Sequence, residues 1–184
     1  MYPKWEAYQR LVARVPEPHL SVHILCRNAD EVRQAWSQVA SATNRVGVRT
    51  DMAGGAAGLP FIHKATLDEA LNLVAEHEGH LVFLLAQYVE GDIHGKAIRL
   101  DEDAVLVEWG NCATAREFDA GKCATEHVVL GPWTHAVWGE QVWRCEAVTR
   151  QPAHLRTLYR VFQMSGLSES TWSLTHDGRV VLWG

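Results

Sequence analysis

The stretch LVFLLAQYVEG, Leu81 to Gly91, constrains this chain more than any other. Six apolar residues run without alternation from Leu81 to Ala86, and the sequence turns polar abruptly at Gln87. An unbroken apolar run of this length reads as a strand buried on both faces. Such a strand cannot carry Gln87 and Glu90 in its interior, because an unpaired buried polar group costs roughly 1–3 kcal/mol. The polar switch therefore marks the strand's end, where a cleft can supply partners. Gly91 then lets the chain turn. Gln87, Tyr88, Val89 and Glu90 are candidate ligand-binding residues on that ground.

The surrounding pattern places this strand in an α+β fold. A first helix is predicted from Pro3 to Val15, with Trp5, Tyr8, Val12 and Val15 on one face and Pro16 and Pro18 beyond its end. Residues 21–26 read as a strand. A helix follows, capped by Asn28 with Glu31 three residues on, and carrying Val32, Ala35, Trp36, Val39 and Ala40 as its apolar stripe. Strands at 45–49 and 61–64 flank the glycine-rich DMAGGAAGLP. Thr66 and Glu69 form a capping box for a helix with Leu67, Ala70, Leu71 and Val74 on one side. After Gly91 the pattern becomes antiparallel, with a hairpin around Asp101–Asp103 and a loop or short helix over 111–123. Strands then lie on either side of GPWTHAVWG. A late helix shows Leu155, Leu158, Tyr159 and Phe162 and stops at Gly166. A closing hairpin turns at Asp177–Gly178. No linker divides residues 1–184, which read as one unit of two lobes, 1–90 and 91–184.

Charge and composition narrow the function. A formal charge of −5 and a pI near 6.0 argue against a chain that holds nucleic acid by bulk electrostatics. No run approaches the roughly 18 apolar residues of a membrane span. The N-terminus reads as amphipathic, without the apolar block of a secretion signal. Four cysteines without a CxxC pair suggest reduced, buried thiols and a cytoplasmic setting. Of eight tryptophans, Trp133, Trp138, Trp143, Trp172 and Trp183 fall late in the chain and suggest a Trp-rich core there. Cys112, Cys123 and His127, and separately His19, His23 and Cys26, are spaced more loosely than structural zinc ligands. No Walker loop, GxSxG or HExxH occurs.

One ordered set of features points further. A strand ending in Arg49 leads into a loop with Gly54, Gly55 and Gly58. A strand ending at Lys64, the helix LDEALNLV and the apolar strand ending AQYVEG follow. That order resembles the nucleotide-binding core of the ATP-grasp fold, including the variant in phosphoenolpyruvate synthases and pyruvate phosphate dikinases. The likeness extends over about residues 18–184 and implies a two-lobed α+β architecture that binds ATP with Mg²⁺. It implies that Arg49 meets the nucleotide phosphates and that the glycine loop covers them. It also implies that the hinge at Tyr88–Val89 pairs with adenine through its backbone.

The residue chemistry agrees. Glycines permit close backbone approach to phosphate, a guanidinium matches phosphate geometry, and Glu90 can accept a ribose hydroxyl. Lys64 is a further candidate for the same cleft. Each has a plainer reading: Arg49 as a salt-bridge partner, Lys64 as a solvated lysine, the loop as surface. The closing strands TWSLT and VVLWG depart from the family, because they contain no carboxylate to hold the metal. Trp183 stands where the family tends to have Glu or Gln. Glu108 is the one remaining strand acid for Mg²⁺, while Asp101 and Asp103 read as turn formers. These features favour a degenerate ATP-grasp-like protein that binds a nucleotide or a protein partner without phosphoryl transfer. An active ATP-dependent ligase or phosphotransferase is one alternative. An interaction module with a Trp-rich C-terminal surface is the other.

Overall fold

A computed structural model describes residues 2–40 and 44–183; Gly184, at the end of the last expected strand, lies outside them. The fold is α+β, in two compact units. The first contains residues 1–13 and 21–89, the second 14–20 and 90–184.

The first unit is built on a four-stranded sheet ordered β1-β4-β2-β3. Its strands are β1 (His23–Cys26), β2 (Val46–Asp51), β3 (Phe61–Ala65) and β4 (Val82–Gln87). β4 lies between β1 and β2 and is antiparallel to both. Antiparallel pairing was expected only after Gly91, yet this sheet has it throughout. The helical crossovers join strands that are parallel but separated by an inserted third, so no parallel ladder forms. As the unbroken apolar run required, Val82 to Ala86 are all buried.

Helices α2 (Ala29–Val39) and α3 (Leu67–His77) cover one face. Asn28 caps α2 by accepting from the Glu31 N–H at 2.9 Å, and Thr66 and Glu69 form the expected reciprocal capping box on α3. The core beneath them gathers Val32, Ala35, Trp36, Val39, Val46, Val48, Ala70, Val74, Phe83 and Leu85. The remaining helix of this unit, α1, spans Pro3–Val12 and stops short of the expected Val15. Its inward residue is Leu11, whereas Val12, assigned to the inner face from sequence, is 45% exposed. Tyr8, through its contacts with His23 described below, and buried Leu11 mark the inner face of the helix.

The second unit carries a six-stranded sheet ordered β10-β7-β6-β5-β11-β12. The strands are β5 (Ile93–Arg99), β6 (Val105–Asn111), β7 (Thr125–Gly131), β10 (Glu146–Ala147), β11 (Glu169–Leu174) and β12 (Val180–Trp183). Gly91, just before β5, is fixed by close approach: a Cβ there would sit 2.1 Å from the Leu174 carbonyl oxygen. Helix α5 (Ala153–Ser165) ends at Gly166 with φ of 68°, as its sequence predicts. Arg99 ties down that helix end, donating to the carbonyls of Leu167 at 3.1 Å and Phe162 at 3.3 Å. A short helix α4 (Ala115–Asp119) lies in the β6–β7 connection, where a loop or short helix was expected.

Two expectations fail in this unit. Cys112 and Cys123 form a disulfide across the base of the β6–β7 connection, so the cysteines are not all reduced thiols. The β6–β7 ladder brings Gly110 opposite Thr125, and the chain beyond each end presents the two sulfurs to one another. Pairing also removes both from the zinc grouping with His127. Cys26 and Cys145 are buried free thiols.

The Trp-rich core does not form as expected either. Trp172 is fully buried, but Trp133, Trp138 and Trp143 are 54%, 51% and 36% exposed. Trp138 and Trp143 belong to a separate two-stranded sheet, β8 (His135–Trp138) with β9 (Gln141–Arg144), which has too few strands to bury both of its faces.

Candidate functional site

Strand alternation decides which face Arg49 occupies. Val46 and Val48 point into the core under α2 and α3, so Gly47, Arg49 and Asp51 point the opposite way. On β1, Ile24 and Cys26 pack with that same core, which puts His23 on Arg49's face. Arg49 opposes Leu84 of β4 and Phe61 of β3. Burial pulls its guanidinium below the ordinary value, and the Asp51 carboxylate works against that shift.

Helix α1 lies on this face, held at two points. Asp51 Oδ2 accepts the N–H groups of Lys4 at 2.7 Å and Trp5 at 3.2 Å. These are the orphan donors of the first turn, and Pro3 ahead of them has none to satisfy. Further along α1, the Tyr8 ring stacks on His23 with centroids 4.3 Å apart, and its hydroxyl accepts the His23 N–H at 3.1 Å. His23 Nε2 meets Ser21 Oγ at 2.9 Å, while its Nδ1 is buried without a hydrogen-bond partner. Burial first, and Arg49 second, push the His23 pKa down to about 4.

The glycine-rich segment is the tip of the β2–β3 hairpin. Gly54, Gly55 and Gly58 have φ of 83°, 79° and 69°, values that an L side chain rarely adopts. The Gly55 N–H closes a turn on the Met52 carbonyl at 2.9 Å, and Thr50 Oγ1 donates to the Pro60 carbonyl. A Cβ on Gly55 would lie 3.2 Å from Pro3 Cγ, so this hairpin tip abuts the first residue of α1. Lys4 Nζ donates to the Thr50 carbonyl at 2.7 Å. Burial, then Arg49, lower the Lys4 pKa, with Asp51 opposing them.

Lys64 reaches a different neighbour. The β2–β3 ladder slips between Val46 and Val48, leaving Gly47 opposite both His63 and Lys64. The His63 ring meets Tyr88 edge-on at 5.7 Å, and Lys64 Nζ sits 4.8 Å from the Tyr88 centroid. Of the β4-end residues, Tyr88 and Val89 are buried and close the first unit. Gln87 follows Phe83 and Leu85 by alternation, toward the helix-covered face and away from Arg49. Glu90 and Glu108 belong to the second unit.

In that unit Glu108 stands in a cross-strand row. Register aligns Trp183, Thr171, Lys96, Glu108 and His127 across five strands. Lys96 Nζ pairs with Glu169 Oε2 at 3.2 Å. Trp183 Nε1 donates to Ser173 Oγ at 2.9 Å, and Ser173 also meets His94 Nδ1 at 2.7 Å. Among the described residues, no group of three His, Cys, Asp or Glu side chains is placed to hold a metal ion.

No protein-family model matches the chain. No curated protein matches it either. Solved structures do. The chain resembles ATP-grasp ligases. One is the ATP-grasp ligase PsnB, solved with a phosphomimetic variant of its minimal precursor, Mg and ADP. It is 13% identical over 97% of this chain and 47% of its own, with a TM-score of 0.44. Another is the macrocyclase MdnC from Microcystis aeruginosa with precursor peptide MdnA, at 14% identity, 97% and 50% coverage and a TM-score of 0.48. D-alanyl-alanine synthetase A from Vibrio cholerae matches at 14% identity, 95% and 51% coverage and a TM-score of 0.45. The chain spans about half the length of the solved structures it matches.

Arg49 and the three glycines share the β2–β3 hairpin, and Lys64, beside the bulge at Gly47, meets Tyr88. Sequence reading missed Lys4, Asp51 and His23 as neighbours of Arg49. The odd-numbered alternation of Gly47, Arg49 and Asp51 could have found Asp51. Nothing local to the sequence links Lys4 to it.

Proposed function

We propose that this chain is a degenerate ATP-grasp-like module that seats a nucleotide in its first unit without transferring a phosphoryl group. One observation carries the reading: Arg49 lies two residues from the end of the strand that enters a hairpin tip of three positive-φ glycines. A fixed cation beside backbone free of side chains is chemistry suited to phosphate. Tyr88 and Val89 then offer backbone groups to a base edge. Lys64, over the Tyr88 ring, closes the base end.

The described residues do not fit Mg²⁺ at Glu108. Lys96 and His127 flank it in register, and a cation beside a carboxylate competes with a bound metal ion. An active ATP-dependent ligase or phosphotransferase, of the dikinase variant or another, would need carboxylates from elsewhere. The exposed Trp133, Trp138 and Trp143 favour a second reading, a protein partner docked on the β8–β9 sheet.

Calorimetric titration of ATP into the protein and its Arg49→Ala variant tests the seat. Binding that weakens about tenfold or more in the variant is expected, from the loss of a charge-assisted contact. Equal affinity in the two would put the nucleotide elsewhere.

A further inference from the structure

Resting on that nucleotide reading, we infer that helix α1 is a removable cover over the seat, and that a nucleotide binds as the helix lifts. Topology puts the helix there. Its first turn is held by Asp51 on β2, and its middle, at Tyr8, by His23 on β1. β4 lies between those two strands, so α1 crosses it on the face that Arg49 shares. Val82, Leu84 and Ala86 alternate with the core residues Phe83 and Leu85 and point to that face, where they are buried.

The cover reaches the glycine hairpin as well. Among the described residues, a Cβ added to Gly54 or Gly58 would meet nothing within 4 Å, whereas one at Gly55 would lie 3.2 Å from Pro3. Pro3 therefore stands where a phosphate would approach the Gly55 backbone. Beside it the Lys4 ammonium engages the Thr50 carbonyl, and Asp51 accepts the two first-turn N–H groups. A polyphosphate at the hairpin tip and the first turn of α1 compete for the same ground.

The helix is weakly held. Of its ten residues only Leu11 is buried. A helix this short is marginal in isolation, and Tyr2 at its N-cap makes no side-chain bond, so off the sheet it melts. Docking also leaves His23 Nδ1 buried, stacked on the Tyr8 ring, without a hydrogen-bond partner among the described residues. Lifting α1 admits water to that nitrogen and relieves the penalty. A ligand that needs the covered ground shifts the helix outward by its preference for the uncovered state, and α1 offers little resistance.

The test pairs hydrogen exchange across α1 with calorimetric titration of ATP, both on the full chain. Saturating ATP should make the amides of residues 6–12 exchange several-fold faster while the hairpin tip becomes protected. Tyr8→Ala removes the ring stacked on His23 and leaves Pro3 and Lys4 in place. It should bind ATP at least about threefold more tightly than wild type, and Leu11→Ala should do likewise. If wild type binds ATP and its α1 amides are unchanged or slowed, the cover is overturned and the seat stands. Unchanged affinity in both variants overturns it as well. If the variants do not fold, the exchange measurement on wild type decides alone. Binding by neither wild type nor a folded variant overturns the nucleotide reading itself.

Discussion

Asp51, at the end of β2, accepts the backbone N–H of Lys4, 47 residues earlier in the chain, at 2.7 Å and so caps α1. The cap is supplied in trans because Tyr2, at the N-cap position, makes no side-chain bond. Asp51→Ala should therefore cost about 1–2 kcal/mol, the value of a helix cap. Asp51→Asn should cost less. Urea unfolding curves measure both, and equal midpoints for wild type and the alanine variant would show that α1 does not depend on this carboxylate.

His23 predicts a pH dependence with a definite sign. Its folded pKa lies near 4, below the ordinary 6.5, because burial and Arg49 disfavour the imidazolium. The unfolded chain thus binds a proton at higher pH than the folded one. The contribution is fully present above about pH 6.5 and is lost as the pH falls toward 4, for up to about 3 kcal/mol. Denaturant unfolding between pH 4 and 7 should show this slope, and His23→Gln should flatten it. An unchanged slope in the variant would assign the titration to other groups.

The Cys112–Cys123 bond closes a short loop around α4. Its removal by Cys112→Ser with Cys123→Ser should lower stability by about 2–3 kcal/mol on the loop-closure scale. Thiol counting under denaturing, non-reducing conditions should find two reactive cysteines, Cys26 and Cys145. Four would mean that the bond is absent.

Much of the fold was legible where local signals agree. The Asn28 cap, the Thr66–Glu69 capping box, the Gly166 stop and the buried Val82–Ala86 strand each combine a backbone requirement with a residue suited to it. Less legible were features set by chain segments far apart. The inner face of α1 depends on Asp51 and His23, which no helical period can announce, and so Val12 was preferred to Leu11. Trp138 and Trp143 look like core residues by composition, but a two-stranded sheet leaves them exposed. Of the candidate site, the Arg49–glycine hairpin was readable because its parts are contiguous. Gln87 continues the pleat of β4 toward the helix-covered face, which its position at a polar strand end does not announce. Lys4 was invisible because it comes from another element.

The nucleotide seat is tested most directly by hydrogen exchange, measured with and without saturating ATP. If ATP sits against Arg49, amides of the Met52–Pro60 hairpin tip and of Tyr88–Val89 should exchange more slowly when it is present. Arg49→Ala should abolish that protection. Unchanged exchange in both segments at millimolar ATP would contradict the seat.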